Sequence, residues 1–222
     1  MKAKPILFSA PMVQAILEQR KTQTRRVLRP QPVIDADGMW HWKDCQWMDG
    51  GIGFPESGVE DYAPYQLGDT LWVRETFTKI RDIETGHIDT FYAANKKDYD
   101  TVRSTYLCDD DGFDTGRPFP WKPSIHMPKV AARLFLRVVD VWVERLQDIS
   151  EEDSIREGVM PDPPIQMVNG EMGSEWSAKD NYQDLWDKRN VKRGHPWESN
   201  PWVWVIEFEP AEMPQGWPEV AP

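Results

Sequence analysis

The sequence predicts an α+β fold in which short strands alternate with helices and two long irregular inserts interrupt the pattern. Three observations predict it. Ala132–Leu146 and Trp202–Phe208 carry the β-branched and aromatic residues of strands. Ala10–Gln19 places Met12, Val13, Ile16 and Leu17 on one stripe of an amphipathic helix. Stretches rich in Pro, Gly and Asp separate the periodic segments.

In chain order, the first helix tolerates Pro11 because it falls in the first turn. Thr22–Leu28 alternates and reads as a strand. From Arg29 to Leu67 the chain is irregular but carries Trp40, Trp42 and Trp47, so an ordered insert with short strands is expected there. Gly68-Asp69 turns into a clear strand, Thr70–Thr78, and a weaker one follows at Asp89–Ala93. Asp109–Pro123 is a loop by composition. After the long strand Ala132–Leu146, Ser150 caps a short helix whose acidic first turn suits the positive end of the helix dipole; Gly158 stops it. Ser177–Lys192 reads as a helix with Tyr182, Leu185 and Trp186 on one face. Proline recurs every fourth residue from Pro210 to Pro222, so this tail is expected to be extended or disordered.

The 222 residues are 40% hydrophobic and 28% charged, enough for a packed core and incompatible with wholesale disorder. The net charge of −11 argues against non-specific coating of nucleic acid, which depends on neutralising phosphates. Cys45 and Cys108 are too few for a disulfide framework or a four-cysteine zinc site. His41 and Cys45 make at most half a metal site, and no cofactor motif is present, so neither metal nor cofactor is expected. The apolar run before Leu17 is broken by prolines and falls short of the roughly 20 residues needed to cross a bilayer. A cytoplasmic protein with no membrane partner is therefore expected.

One segment is anomalous. Arg20, Lys21, Arg25, Arg26 and Arg29 put five cations within ten residues of an acidic chain. Such a cluster repels itself unless anions answer it, either neighbouring carboxylates or a phosphate or polar ligand.

The segment Ile16-Leu17-x-x-Arg20-Lys21-Thr22-x-Thr24-x-Arg26 resembles the opening motif of ASCH domains, a branch of the PUA-like superfold. Leu67-Gly68-Asp69 with Leu71-Trp72-Val73, Leu146 to Gly158, and Val205-Ile206-Glu207-Phe208 resemble further family segments in the right order. Together these cover about half the chain, and phage and prophage proteins of this shape are similar to it. The resemblance implies a small, mostly antiparallel PUA-like β-barrel with flanking helices. It implies one domain over residues 1–209, with inserts at about 30–66 and 78–128 and the tail at 210–222.

Some ASCH proteins hydrolyse the amide of N(4)-acetylcytidine with a lysine, a threonine and a glutamate. By motif position the resemblance carries these roles to Lys21, Thr24 and Glu157, with Arg20, Arg25 and Arg26 as substrate-binding cations. The chemistry is coherent: a threonine hydroxyl needs an adjacent base, and a neutral lysine can serve. A free lysine, with a pKa of about 10.4, is almost wholly charged at pH 7, so burial or nearby cations must lower it to roughly 7–8. Lys21 and Thr24 converge only if Lys21 lies in the turn before the strand, since residues three apart on a strand face opposite ways. Glu157 sits at the end of its helix, where a carboxylate opposes the dipole, and residues that break a local rule mark functional positions. Two classes follow: an amidohydrolase acting on a small nucleoside-like substrate, or a module binding single-stranded or modified nucleic acid through the arginines and loop tryptophans.

Overall fold

A computed structural model describes residues 3–37, 39–43, 45–48, 59–81, 87–103, 120–162, 165–166, 172–173 and 176–218. Its elements are β1 (Lys4–Leu7), α1 (Ala10–Leu17), β2 (Gln23–Val27), β3 (Val33–Ile34), β4 (Met39–Trp42), β5 (Cys45–Met48), β6 (Thr70–Arg74), β7 (Phe77–Arg81), β8 (Ile88–Tyr92), α2 (Lys96–Val102), β9 (Phe135–Arg145), α3 (Glu151–Arg156), β10 (Ile165–Gln166), β11 (Met172–Gly173), α4 (Ala178–Asn190) and β12 (Trp202–Ala211). Mixed helices and sheets make this an α+β protein.

The main sheet has the order β1-β6-β9-β12-β2. β1 pairs parallel with β6, whereas β6–β9 and β12–β2 are antiparallel. Trp202–Phe208 thus shares a sheet with Thr70–Arg74, as expected. Among the described residues the ladder ends at β1 and β2 without closing into a barrel. The expected strand Thr70–Thr78 is instead two strands, broken at Glu75-Thr76, with β7 joining β8 in a separate ribbon. β1 was not expected; Pro5 sits within it, on an edge strand of the kind that tolerates proline.

The chain divides into two compact units. The first comprises residues 1–18, 69–137 and 210–222. Within it Trp72, Phe135 and Trp217 form an aromatic cluster. The indole of Trp217 meets Phe135 edge-on at 4.8 Å, donates to the Lys129 carbonyl, and lies 4.1 Å beneath the Lys129 ammonium. The described part of the proline-rich tail is thus ordered: β12 continues through Ala211, and the buried Trp217 anchors the segment beyond it. The loop expected over 109–123 lies outside the described residues up to position 119, as do positions 219–222 of the tail.

The second unit comprises residues 19–68 and 138–209. Its core gathers Leu146, Ile149, Tyr182, Trp186, Trp197, Val203 and Val205. The first insert contributes the small sheet β3-β4-β5. Trp40 and Trp42, in the insert expected to be ordered with short strands, lie on β4 and pack edge-on against Trp202 and Trp204 of β12. They are core side chains, buried because two apolar rings stabilise more by packing than by offering a surface to a base.

Candidate functional site

The site forms within the second unit, where β2, the end of α3 and one face of α4 meet. Gln19 takes a left-handed conformation (φ 59°) after α1, which turns the chain so that Lys21 lies ahead of β2. Lys21 thus lies in the turn ahead of the strand, the placement expected for its convergence with Thr24, but the group its ammonium meets is Glu157.

α3 ends in a Schellman motif. Gly158 has φ 89°, its N–H donates to the Ile155 carbonyl, and the Val159 N–H donates to the Ser154 carbonyl. The remaining terminal carbonyls are answered by the basic segment. The Thr22 N–H donates to the Arg156 carbonyl at 2.8 Å, Lys21 Nζ to the Glu157 carbonyl at 2.7 Å, and Arg20 Nη1 to the Gly158 carbonyl at 3.3 Å. Two of the anomalous cations, Arg20 and Lys21, thus cap the negative end of a helix. The Glu157 carboxylate, which alone would oppose that dipole, is compensated by the same ammonium.

Lys21 Nζ also donates to Glu157 Oε2 at 2.7 Å and to the Gln23 carbonyl at 2.6 Å. Glu157 Oε1 accepts the Arg25 backbone N–H at 2.5 Å and the Tyr182 hydroxyl at 3.4 Å, with Arg25 Nη1 at 3.5 Å. The Lys21 side chain is only 1% exposed and that of Glu157 6%. Burial lowers the Lys21 pKa from 10.5 to about 8; Glu157 opposes the shift, and the charges of Arg26 and Arg189 add to it. Burial, and then the Glu157 charge, push the Tyr182 phenol well above its usual value.

Arg25 departs from its expected role. Its side chain is fully buried; Nε donates to Glu144 Oε1 at 2.7 Å, while Trp142 Nε1 holds the other oxygen of Glu144. Nη2 lies 3.6 Å from Asp153 Oδ2 without a hydrogen bond. Burial pulls its pKa down, but Glu157 and Glu144 outweigh that and raise it. Arg25 is therefore an internal partner of the carboxylates. Arg20 and Arg26 are half-buried. Thr24 is 4% exposed on β2, paired through its backbone to Ile206. Among the described residues its hydroxyl makes no hydrogen bond to Lys21 or Glu157, so the structure joins Lys21 with Glu157 directly and does not join either with Thr24.

The arrangement holds four groups that the sequence did not single out: Glu144, Asp153, Tyr182 and Arg189. Tyr182 reads in the sequence as an apolar-face residue, and only its contact with Glu157 reveals its polar end. Glu144 had a signal, an acid alternating with Trp142 on the half-buried end of the long strand.

Among the described residues, no group of three or more His, Cys, Asp or Glu is placed to hold a metal ion. No helix among them is long and apolar enough to cross a membrane. Comparison with protein-family models, curated proteins and solved structures finds no match.

Proposed function

We propose that this chain is an amidohydrolase that removes an acyl group from the exocyclic amine of a nucleoside-like substrate, with Lys21, Thr24 and Glu157 as its reacting set. The observation that carries the reading is the buried Lys21, held by Glu157 at 2.7 Å, whose pKa burial lowers to about 8 against the pull of that carboxylate. At pH 7 such a lysine is neutral in roughly one molecule in ten, against about one in a few thousand for a free one. The ASCH-like motif supports the same reading.

Neutral Lys21 takes the proton of the Thr24 hydroxyl as that oxygen attacks the acyl carbonyl carbon. The C–N bond then breaks, the Lys21 ammonium returns the proton to the departing amine, and the acyl group stays on Thr24 as an ester. Water attacks the ester, giving its proton to Lys21, which passes it to the Thr24 oxygen as the carboxylic acid leaves. Glu157 holds Lys21 in place throughout. For the first step Nζ must exchange its contact with the Gln23 carbonyl for the hydroxyl of the next residue. The test is release of cytidine and acetate from N(4)-acetylcytidine; a wild-type chain that releases neither overturns the reading.

A second reading is a module for single-stranded or modified nucleic acid. What favours it is the basic character around Arg26 and Arg189: burial and then the Arg26 charge lower the Arg189 pKa, with Glu157 opposing them.

A further inference from the structure

The start of α4 is fastened to α3 and to the chain just beyond it. Glu151, the first residue of α3, accepts the Ala178 N–H at 2.6 Å and the Lys179 N–H at 3.0 Å. Asn181 Nδ2 donates to the Met160 carbonyl and to Asp162 Oδ1, both at 3.0 Å. A capping box between Ser177 and Asp180 closes the helix start. One residue after Asn181, the Tyr182 hydroxyl donates to Glu157 Oε1 at 3.4 Å. The Tyr182 ring packs against Trp186 and Trp197, with centroids 6.3 and 6.2 Å away. The phenol is thus held both by its ring and by its oxygen, and it is 4% exposed.

Packing alone does not call for the hydroxyl. A phenylalanine would fill the same space beside the two indoles, and Glu157 Oε1 would keep the Arg25 N–H at 2.5 Å. The carboxylate is shared unevenly: Lys21 takes Oε2, whereas the Arg25 N–H and the Tyr182 hydroxyl take Oε1. A donor on Oε1 draws negative charge away from Oε2, the oxygen that stabilises the Lys21 ammonium, and fixes the plane in which Oε2 is presented. The hydroxyl does this only as a neutral phenol. Burial and the Glu157 charge keep it protonated well above the usual range. The other charges that act on Lys21 or Tyr182 are Arg25 and Arg26 on β2 and Arg189 on α4. Loss of the hydroxyl removes none of them.

We propose that Tyr182 is a positioning residue: its hydroxyl aligns Glu157 and weakens that carboxylate's hold on the Lys21 ammonium, so that Lys21 releases its proton more readily than the ion pair alone would allow. The consequence for turnover rests on the amidohydrolase reading, whereas the effect on the Lys21 proton does not. The hydroxyl acts through Glu157 and touches neither Lys21 nor Thr24. α4 therefore serves the site through one oxygen atom, and the clamps at Glu151 and Asn181 set where that oxygen lies.

The experiment compares the full wild-type chain with Tyr182→Phe and with Trp197→Phe, which trims a ring packed on Tyr182 and leaves Glu157 untouched. Circular dichroism checks that each is folded. The Lys21 proton is followed by NMR titration of carbon-labelled lysine side chains, with Lys21→Met assigning the signal. Tyr182→Phe is expected to raise the Lys21 midpoint by about half a pH unit, and Trp197→Phe to leave it in place. Replacing Tyr182 by fluorotyrosine, a stronger donor of nearly the same shape, is expected to lower the midpoint; this arm decides the matter should Tyr182→Phe not fold. The pH profile of N(4)-acetylcytidine turnover is expected to move with the midpoint, so that kcat of Tyr182→Phe at pH 7 falls about threefold while KM holds. An unmoved or lowered midpoint in Tyr182→Phe, an equal displacement in Trp197→Phe, or an unmoved or raised midpoint with fluorotyrosine overturns the proposal. A displaced midpoint in a chain that turns over no N(4)-acetylcytidine sinks the catalytic reading and leaves the positioning role standing. Turnover by wild type with an unmoved midpoint in Tyr182→Phe sinks the positioning role and leaves catalysis.

Discussion

Each compact unit buries a glutamate, and the two are neutralised in different ways. In the first unit Glu75 is fully buried, and Arg133 meets it with two parallel hydrogen bonds of 2.9 Å. That guanidinium lies 4.1 Å over the Tyr92 ring and is one-quarter exposed. One anion meets one cation through a bidentate fork, the arrangement with least left to satisfy. In the second unit Glu157 is shared by Lys21, the Arg25 backbone and the Tyr182 hydroxyl. Arg25 divides its own charge among Glu157, Glu144 and Asp153. A closed pair suits structure. An open network, with a lysine near its titration point, suits proton transfer. The difference lies in how many partners share each carboxylate and how firmly each proton is held.

The largest expected effect tests that contrast through stability. Glu157→Ala strands Lys21 with almost no access to water, and breaking a buried pair in this way costs about 3–5 kcal/mol. Glu75→Ala is expected to cost less, because Arg133 can turn its exposed side to water and keep its stack on Tyr92. Urea unfolding of the two variants ranks them; a larger loss for Glu75→Ala would break the comparison. The double variant Lys21→Met/Glu157→Leu is expected to recover most of the loss, since replacing a buried pair by apolar groups is often neutral.

Next in size is catalysis. Lys21→Ala and Thr24→Ala are each expected to lower turnover of N(4)-acetylcytidine at least about a hundredfold. Glu75→Gln, in the other unit, should lower it only as far as the folded fraction falls. Full activity in Thr24→Ala would remove the threonine from the mechanism and leave a direct attack by water.

The pH response comes third. In the unfolded chain Lys21 keeps its proton to about pH 10.5, whereas in the fold it loses it near 8. Between these values the unfolded chain binds more protons, so stability is expected to rise with pH from about 8 to 10, by on the order of 1–3 kcal/mol. Above pH 10 Tyr182 reverses the slope, because its phenol ionises first in the unfolded chain. Turnover should rise through pH 8 as the neutral base accumulates. Lys21→Met should flatten the stability rise, and a rise that survives the substitution would assign it to another group.

The smallest effect concerns position. Gly158→Ala forces a side chain into a left-handed conformation, at a cost of roughly 1–2 kcal/mol. Because the Schellman turn sets the Glu157 carbonyl and carboxylate, turnover should fall beyond the loss that reduced stability explains. A proportionate loss would make the turn purely structural.

The legible part of this molecule is the part that periodicity and capping encode. The first helix spans Ala10–Leu17 within the expected Ala10–Gln19. Ser150 and Ser177 both cap their helices as expected, each accepting an N–H three residues on. Glu157 and Lys21 stand out through a motif and a broken dipole rule. Pairing at a distance could not be read. Nothing local marks Arg25 as an internal partner of Glu144, since an arginine facing solvent and one facing a carboxylate 119 residues away share the same neighbours. Trp40 and Trp42 mark an ordered insert, but strands as short as β4 leave too few alternations to give their bounds.

The basic segment that caps α3 has a consequence for how the chain is made. Its acceptors at Arg156, Glu157 and Gly158 emerge from the ribosome more than 130 residues after Lys21. The pairing partner of β2 comes later still, with Ile206 opposite Thr24. At synthesis rates of about 5–20 residues per second, the nascent segment waits roughly 6–27 s before its native anions Glu144, Asp153 and Glu157 have been made. Throughout that interval it is the most basic stretch of a growing acidic chain. In the finished protein Arg20 and Lys21 go to the α3 terminus and Arg25 to the Glu157 network, while Arg29 stays exposed.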